Sequence, residues 1–197
     1  MLLTKADSRT GNPASEDDDR GVADLVARAQ GGQVEAFGLL YRNYAAVIYR
    51  YVYVRTGRVE EAEDLTQEVF LKALNSIHSY RDQGKPFRSW LVRIAHNLLV
   101  DRYRRVDKVR FVPFTVPVVS SDGDPLDIVE REMENAMVME AVANLTRKER
   151  EVISLRFGAQ MSIAETAGIL RKSQGAVKAA QHQAIARLRK EMGKEIE

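Results

Sequence analysis

The chain has 197 residues, 45% of them hydrophobic and 29% charged, with 12 glycines and 5 prolines. That composition excludes collagen-like, mucin-like and wholly disordered classes and fits one or two soluble domains. Zero cysteines and a net charge of only +2 exclude a disulfide framework, a thiolate zinc site, an iron–sulfur cluster and a cysteine nucleophile, and leave any electrostatic function to the distribution of charge rather than its total.

Residues 1–20 are polar and acidic, with Glu16, Asp17, Asp18 and Asp19 in a row, and are expected to be a disordered tail. From residue 21 the apolar spacing is three and four, which predicts helices. A first helix is expected over Val22–Gln30, broken by Gly31-Gly32, and a longer one over Val34–Arg55, with Phe37, Leu40, Tyr41, Tyr44, Val47, Ile48 and Tyr51 as its apolar stripe. Thr56-Gly57 ends it. A third helix starts near Val59 with Glu60, Glu61, Glu63 and Asp64 in its first turns, where the helix dipole favours anions. There Ala62, Leu65, Val69, Ala73 and Ile77 point to a core, while Asp64, Gln67, Glu68 and Leu71 share another face.

Tyr80–Pro86 holds Gly84 and Pro86 and reads as a loop. A fourth helix, Phe87 to about Val106, buries Phe87, Trp90, Leu91, Ile94, Ala95, Leu98 and Leu99 by spacing and turns Arg88, Arg93, His96, Asn97, Arg104 and Arg105 outward. Core packing is favoured over base stacking for Trp90. Three prolines and no helical period between Phe111 and Asp127 predict an extended linker. Four more helices are expected over Leu126–Asn144, Arg147–Phe157, Ile163–Leu170 and Gln174–Met192. Thr146-Arg-Lys-Glu149 and Ser162-Ile-Ala-Glu165 match the capping box, and Ser173 can cap the last helix. Two short helices joined by about three residues make a helix-turn-helix.

The fold expected is all-α: a tail over 1–20, a four-helix domain over 21–108, an extended linker over 109–127, a helix-turn-helix domain over 128–192 and a short tail over 193–197. Charge follows this division. Residues 81–110 carry nine cations against three carboxylates, a net +6, and residues 144–197 carry eleven against six, a net +5. Between them residues 121–135 have six carboxylates and one arginine, a net −5. Two basic bodies flanking an acidic joint suit a polyanion, because Lys and Arg displace counterions condensed on phosphates.

His78, His96 and His182 lie far apart with no second ligand at metal spacing, so no metal site is expected. The phosphate-binding, dinucleotide-binding and nucleophile-elbow motifs are missing; no catalytic residues and no cofactor are expected. No apolar run approaches the roughly 18 residues of a membrane span, and Met1–Asp7 lacks the apolar core of a signal peptide, which predicts a cytoplasmic protein without membrane insertion.

Asp64-Leu-Thr-Gln-Glu-Val-Phe70, then Phe87-Arg-Ser-Trp-Leu-Val-Arg-Ile-Ala-His-Asn97, ending in Asp101-Arg-Tyr-Arg-Arg105, resembles region 2 of the bacterial extracytoplasmic-function (ECF) sigma factors. Leu145–Phe157, Ser162-Ile-Ala-Glu-Thr-Ala and Gly175-Ala-Val-Lys178 resemble region 4 of the same family, and Ser162–Leu188 is similar to its BldN-like group. The resemblance implies that region 2 binds the β′ clamp helices of core RNA polymerase and opens the −10 element, and that region 4 binds the β flap and reads the −35 element. Asp64, Gln67, Glu68 and Leu71 are then the polymerase-binding face. The loop from Ser79 to Pro86, with Arg81, takes the family's position for capturing a flipped base. Arg88, Arg93, His96 and Asn97 are the candidates for the −10 strand, and Arg102, Arg104 and Arg105 for phosphates.

In region 4, Ser173, Gln174, Ala176, Lys178, Ala179 and His182 stand at the start of the recognition helix, where side chains reach the major groove. The family usually places Gly where this chain has Arg171, and Ala180 and Gln183 replace frequent arginines; Arg171 and Lys172 are candidates to compensate. An anti-sigma factor is a further expected partner. The residues by themselves leave two alternatives, a helix-turn-helix regulator with an N-terminal sensor domain and an enzyme acting on nucleic acid. Net +6 around the fourth helix argues against the first, and the missing metal or acid/base constellation against the second.

Overall fold

The computed structural model describes residues 13–82, 84–105 and 136–193. The expected linker over 109–127, most of the helix expected from Leu126, residues 1–12 and residues 194–197 lie outside the described residues. Those described are helical, with no strand among them: α1 (Pro13–Gln30), α2 (Val34–Thr56), α3 (Val59–Ser76), a 3-10 turn (Ile77–Ser79), α4 (Phe87–Arg105), a helical stretch α5 over residues 136–143, α6 (Arg147–Ile153), a π turn (Ser154–Gly158), α7 (Ile163–Leu170) and α8 (Gln174–Gly193).

α1 begins at Pro13, inside the segment expected to be a disordered tail. Local chemistry accounts for the difference. Proline at the first helical position has no N–H to leave unsatisfied, and the acidic run Glu16–Asp19 lies near the positive end of the helix dipole. α2 stops where Gly57 adopts a left-handed conformation (φ 72°) and its N–H reaches Tyr53 O at 2.8 Å, a cap that costs glycine nothing.

The N-terminal core joins the spaced residues of three helices. Leu40, Ile48 and Val52 from α2 meet Ala62, Leu65, Val69 and Ala73 from α3 and Leu91, Val92, Ala95 and Leu99 from α4, all buried. Tyr41 departs from the expected stripe: it stays 41% exposed, laid edge-on against Phe70. The end of α2 departs the other way. Tyr51, Val52, Tyr53, Arg55 and Thr56 are all buried, a run too continuous for a helix with one solvent face. A second layer must therefore cover it.

That layer is the C-terminal domain. Met139, Leu155, Ala159 and Met161 belong to the same buried cluster as the N-terminal core. Around them the helix-turn-helix has small cores of its own, Leu145, Ile153 and Ala184 in one and Val152, Ala167 and Val177 in the other. Both expected capping boxes are complete: Thr146 with Glu149, and Ser162 with Glu165. Ser173 Oγ accepts from Ala176 N at 3.2 Å.

Arg171, at the position where the resemblance leads one to expect glycine, holds a left-handed conformation (φ 53°, ψ 46°), and Lys172 N closes the turn on Ala167 O at 3.0 Å. Left-handed backbone costs an L-residue on the order of 1 kcal/mol, partly offset by the greater freedom of an unfolded glycine. Arg171→Gly is expected to stabilise the chain by a few tenths to about 1 kcal/mol in urea unfolding. A loss of stability would instead give the Arg171 side chain a structural part.

Candidate nucleic-acid interface

The acidic face of α3 is laid out as its spacing requires. Asp64, Gln67, Glu68 and Leu71 are all exposed on one side, with Leu71 61% accessible and Leu74 beside it. The core residues of the helix anchor the opposite side, so this polar face with an apolar knob is free of packing duty. Among the described residues Glu68 is the member of this face with an ion pair, to Lys72 at 3.5 Å.

The loop after α3 is fixed from behind by α1. Gln30 Nε2 donates to Ile77 O at 3.0 Å and Tyr80 O at 2.9 Å. Arg81 turns back to donate to His78 O and Tyr80 O, and Gly84 N donates to Asp82 Oδ1. A cavity of about 500 Å³ opens between this loop and α1, lined by Val22, Val26, Tyr80, Arg81, Lys85 and Phe87 among others. On the far side of the loop Tyr80, Arg81, Lys85, Ser89, Trp90 and Arg93 line a smaller one. Trp90 is half-buried, its ring 5.1 Å from Tyr80 and 5.3 Å from Phe87. It packs as the spacing predicts and also lines a cavity.

The basic residues of α4 divide. Arg93 and Asn97 are exposed and point to solvent. Arg104 is exposed near Asp101 at 4.0 Å. Arg102 instead pairs with Glu61 of α3 at 2.8 Å, which ties α4 to α3. Arg88 and His96 are half-buried, Arg88 with Nε enclosed and unpartnered. The Arg105 side chain lies outside the described residues. In the helix-turn-helix, Val177 and Ala184 hold α8 inward, leaving Arg171, Lys172, Ser173, Gln174, Ala176, Lys178, Ala179 and His182 exposed.

Sequence reasoning passed over what lies between the two basic faces. Arg55, 3% exposed, forms an ion pair with Glu151 of α6 at 3.5 Å, and its guanidinium sits 5.6 Å over the Tyr103 ring. Arg147 approaches the same ring from the C-terminal domain, 5.8 Å from its centroid, and Tyr103 Oη donates to Arg55 O at 2.6 Å. Burial works to lower the Arg55 pKa, but Tyr51, Tyr103 and Glu151 outweigh it and the net shift is upward. Ser89 Oγ donates to Glu165 Oε1 at 2.6 Å. Burial raises the Glu165 pKa, yet bonds from Ser89 and Ser162, with Arg88 nearby, bring the net value below the usual carboxylate range. The one available signal was an arginine inside the apolar run Tyr51-Val-Tyr-Val-Arg55.

Among the described residues no cluster of His, Asp or Glu could hold a metal ion, and no helix is long and apolar enough to cross a membrane.

Two family profiles match, Sigma-70 region 2 over residues 40–109 and Sigma-70 region 4 over residues 141–190. The ECF RNA polymerase sigma factor BldN of Streptomyces coelicolor is 39% identical over 88% of this chain, which spans 66% of that relative's length. The ECF RNA polymerase sigma factor SigD of Mycobacterium bovis is 32% identical over 85% of this chain and 82% of its own. The structure of CnrH in complex with the cytosolic domain of CnrY has 26% identity and a TM-score of 0.60, covering 85% of this chain and 94% of that one.

His96 provides a pH test of the geometry. Its Nδ1 shares a hydrogen bond with Tyr51 Oη at 3.2 Å. Its pKa is lowered below 6.5, first by burial and then by Arg55, against a partial opposing effect of Glu151. The unfolded chain therefore takes up the proton first, so stability falls as pH drops from about 7 through 6.5 and below. Urea titrations from pH 7.5 to 5.5 should show this slope in the wild type and a shallower one in His96→Gln. Equal slopes would place His96 in water.

Proposed function

The chain belongs to the ECF sigma factors, and from that membership we propose that it binds core RNA polymerase, recognises −10 and −35 promoter elements, opens promoter DNA and directs initiation. The bond-forming chemistry stays with the polymerase. One observation carries this reading: an acidic partner face on α3, a loop bordered by cavities and a basic face on α4 occur on one domain, while an exposed recognition helix occurs on a second. A helix-turn-helix regulator with a sensor domain requires only the last of these.

In this reading Asp64, Gln67, Glu68 and Leu71 meet the β′ clamp helices, a basic helical partner matching an acidic face. The Tyr80–Pro86 loop and its cavities receive an unstacked base of the −10 strand, a cheap extrusion where pairing is already lost. Arg93 and Asn97 guide that strand, and Arg104 places phosphates without reading sequence. Arg102, paired to Glu61, contributes through the α3–α4 arrangement. On α8, Gln174 and Lys178 can reach base edges, Gln suiting adenine and Lys guanine. CnrH, whose fold is similar, was solved in complex with the cytosolic domain of CnrY; for this chain a protein partner is proposed as well, an anti-sigma factor that receives the signal for a chain with no cysteine.

The direct test is promoter-specific transcription by core polymerase supplemented with this chain. Asp64→Ala with Gln67→Ala, both off the core, should leave melting within about 0.5 kcal/mol of wild type while weakening core binding in competition. Unaltered binding would remove that face from the assignment. Arg93→Ala with Asn97→Ala should depress initiation on a duplex promoter more than on one with a pre-opened bubble. Equal losses on both templates would point away from strand opening.

A further inference from the structure

The loop leading into α4 has a cavity on each side, and the two differ in size and lining. We infer that the larger one, between the loop and α1, is a binding site for a free nucleoside monophosphate, separate from the place where the loop holds a base of the DNA strand. Binding there does not depend on the promoter-factor reading; its consequence for promoter opening does.

Size separates the two. The smaller cavity holds about 110 Å³, the room of roughly four waters at about 30 Å³ each, which is enough for one heterocyclic ring. Ser89, Trp90 and Arg93 of α4 line it, so it lies beside the exposed Arg93. A strand passing there keeps its sugar and phosphate outside and needs space only for the base that it extrudes. The larger cavity, about 500 Å³, falls within the roughly 300–1,000 Å³ of small-molecule sites and takes base, sugar and phosphate together. Among the described residues of α4 only Phe87, at its start, lines it. The wall that replaces α4 is α1, away from the strand.

The walls suit a flat ring. Val22, Ala23, Val26 and Ala27 supply an aliphatic side, since residues three and four apart share one face of a helix. Tyr80 and Phe87 supply an aromatic one, with centroids 5.2 Å apart and rings edge to face. Polar groups define the two ends of the ligand. Gln30 lines the cavity, and its Nε2 is committed to Ile77 O and Tyr80 O. Those two bonds settle the orientation of the amide and leave Oε1 an acceptor without a donor among the described residues, a partner for the exocyclic amine of adenine or cytosine. At the solvent rim Arg81 and Lys85 outweigh Asp82, whose Oδ1 already accepts from Gly84 N at 2.8 Å. Arg81 uses Nη1 on His78 O and Tyr80 O. Lys85 is exposed, with no ion pair among the described residues, and is the cation left for a phosphate. It follows Gly84, where the loop turns through a left-handed backbone (φ 69°). A nucleotide seated here braces the loop from the same side as Gln30, and so changes how the smaller cavity is presented to the strand. By linkage, strand binding changes nucleotide affinity by the same factor.

Isothermal titration calorimetry on the full chain tests the site with AMP, adenosine and inorganic phosphate as probes. AMP should bind more tightly than adenosine or phosphate, by at least about tenfold, the worth of one hydrogen bond to a charged group. Lys85→Gln should remove that advantage and leave adenosine binding as it was. Ala23→Leu with Ala27→Leu fills the cavity from two exposed positions of α1 with a good helix former, and should abolish AMP binding with helicity and melting unchanged. To separate the two cavities, an oligonucleotide carrying the −10 strand is bound to the complex with core polymerase. Saturating AMP should not displace it, and Arg93→Ala should weaken the oligonucleotide while AMP binding to the chain stays. AMP bound no more tightly than phosphate, or bound equally by the leucine variant, overturns the proposal. So does competition between AMP and the oligonucleotide, which would give the larger cavity to a nucleotide of the strand. A chain that binds AMP as described but neither joins core polymerase nor initiates would defeat the promoter-factor reading and leave the nucleotide site standing.

Discussion

The arrangement of the molecule depends on one buried cation. Arg55 is enclosed at the end of α2, where an unpaired guanidinium would carry a desolvation cost of several kcal/mol. Its compensation comes from both domains: the face of the Tyr103 ring from α4, and the Glu151 carboxylate from α6. Because half of the compensation is borrowed from region 4, the end of α2 behaves as a socket that is complete only when the second domain is present. The apolar cluster around Met139, Leu155, Ala159 and Met161 adds the non-directional part of the same contact.

The capping boxes show how one group can serve two levels of structure. Glu165 closes the start of α7 with one oxygen, accepting from Ser162 N, and takes the Ser89 hydroxyl with the other. Glu149 closes the start of α6 and also meets Arg187 of α8 at 3.5 Å. A carboxylate at a helix N-terminus is already held ionised and oriented by the backbone, so a second donor gains a pre-organised acceptor. The local signal that starts each helix thus also fixes how that helix docks.

The basic residues are sorted by the same logic. Those whose charge is answered inside the protein, Arg55 by Glu151 and Arg102 by Glu61, hold helices together. Arg93, Lys172 and Lys178 stand exposed on the faces proposed above for DNA. The net charge of +2 sets 30 cations against 28 carboxylates over the whole chain and hides this division, in which the exposed cations are the ones placed to attract a polyanion.

The helices, their order and most of their ends were legible in the sequence, because they rest on local chemistry: apolar spacing, the Thr146 and Ser162 boxes, the Ser173 cap and the Gly57 stop. The exposed faces of α3 and α8 were legible for the same reason, since a position off the apolar stripe of a single-sided helix can only point outward. The start of α1 at Pro13 was missed, although proline and the acidic run that favour it are local signals. What the sequence could not supply was the partner of a residue far along the chain. Ser89 and Glu165 are 76 positions apart, and nothing in the spacing of either helix says that they meet. Arg88 and His96 were placed on an open face because the period of α4 turns them away from its own core, yet a second domain half-covers that face. Tertiary structure decided this, since burial by another domain depends on the shape and charge of a surface assembled from three helices, and such a surface has no period to read.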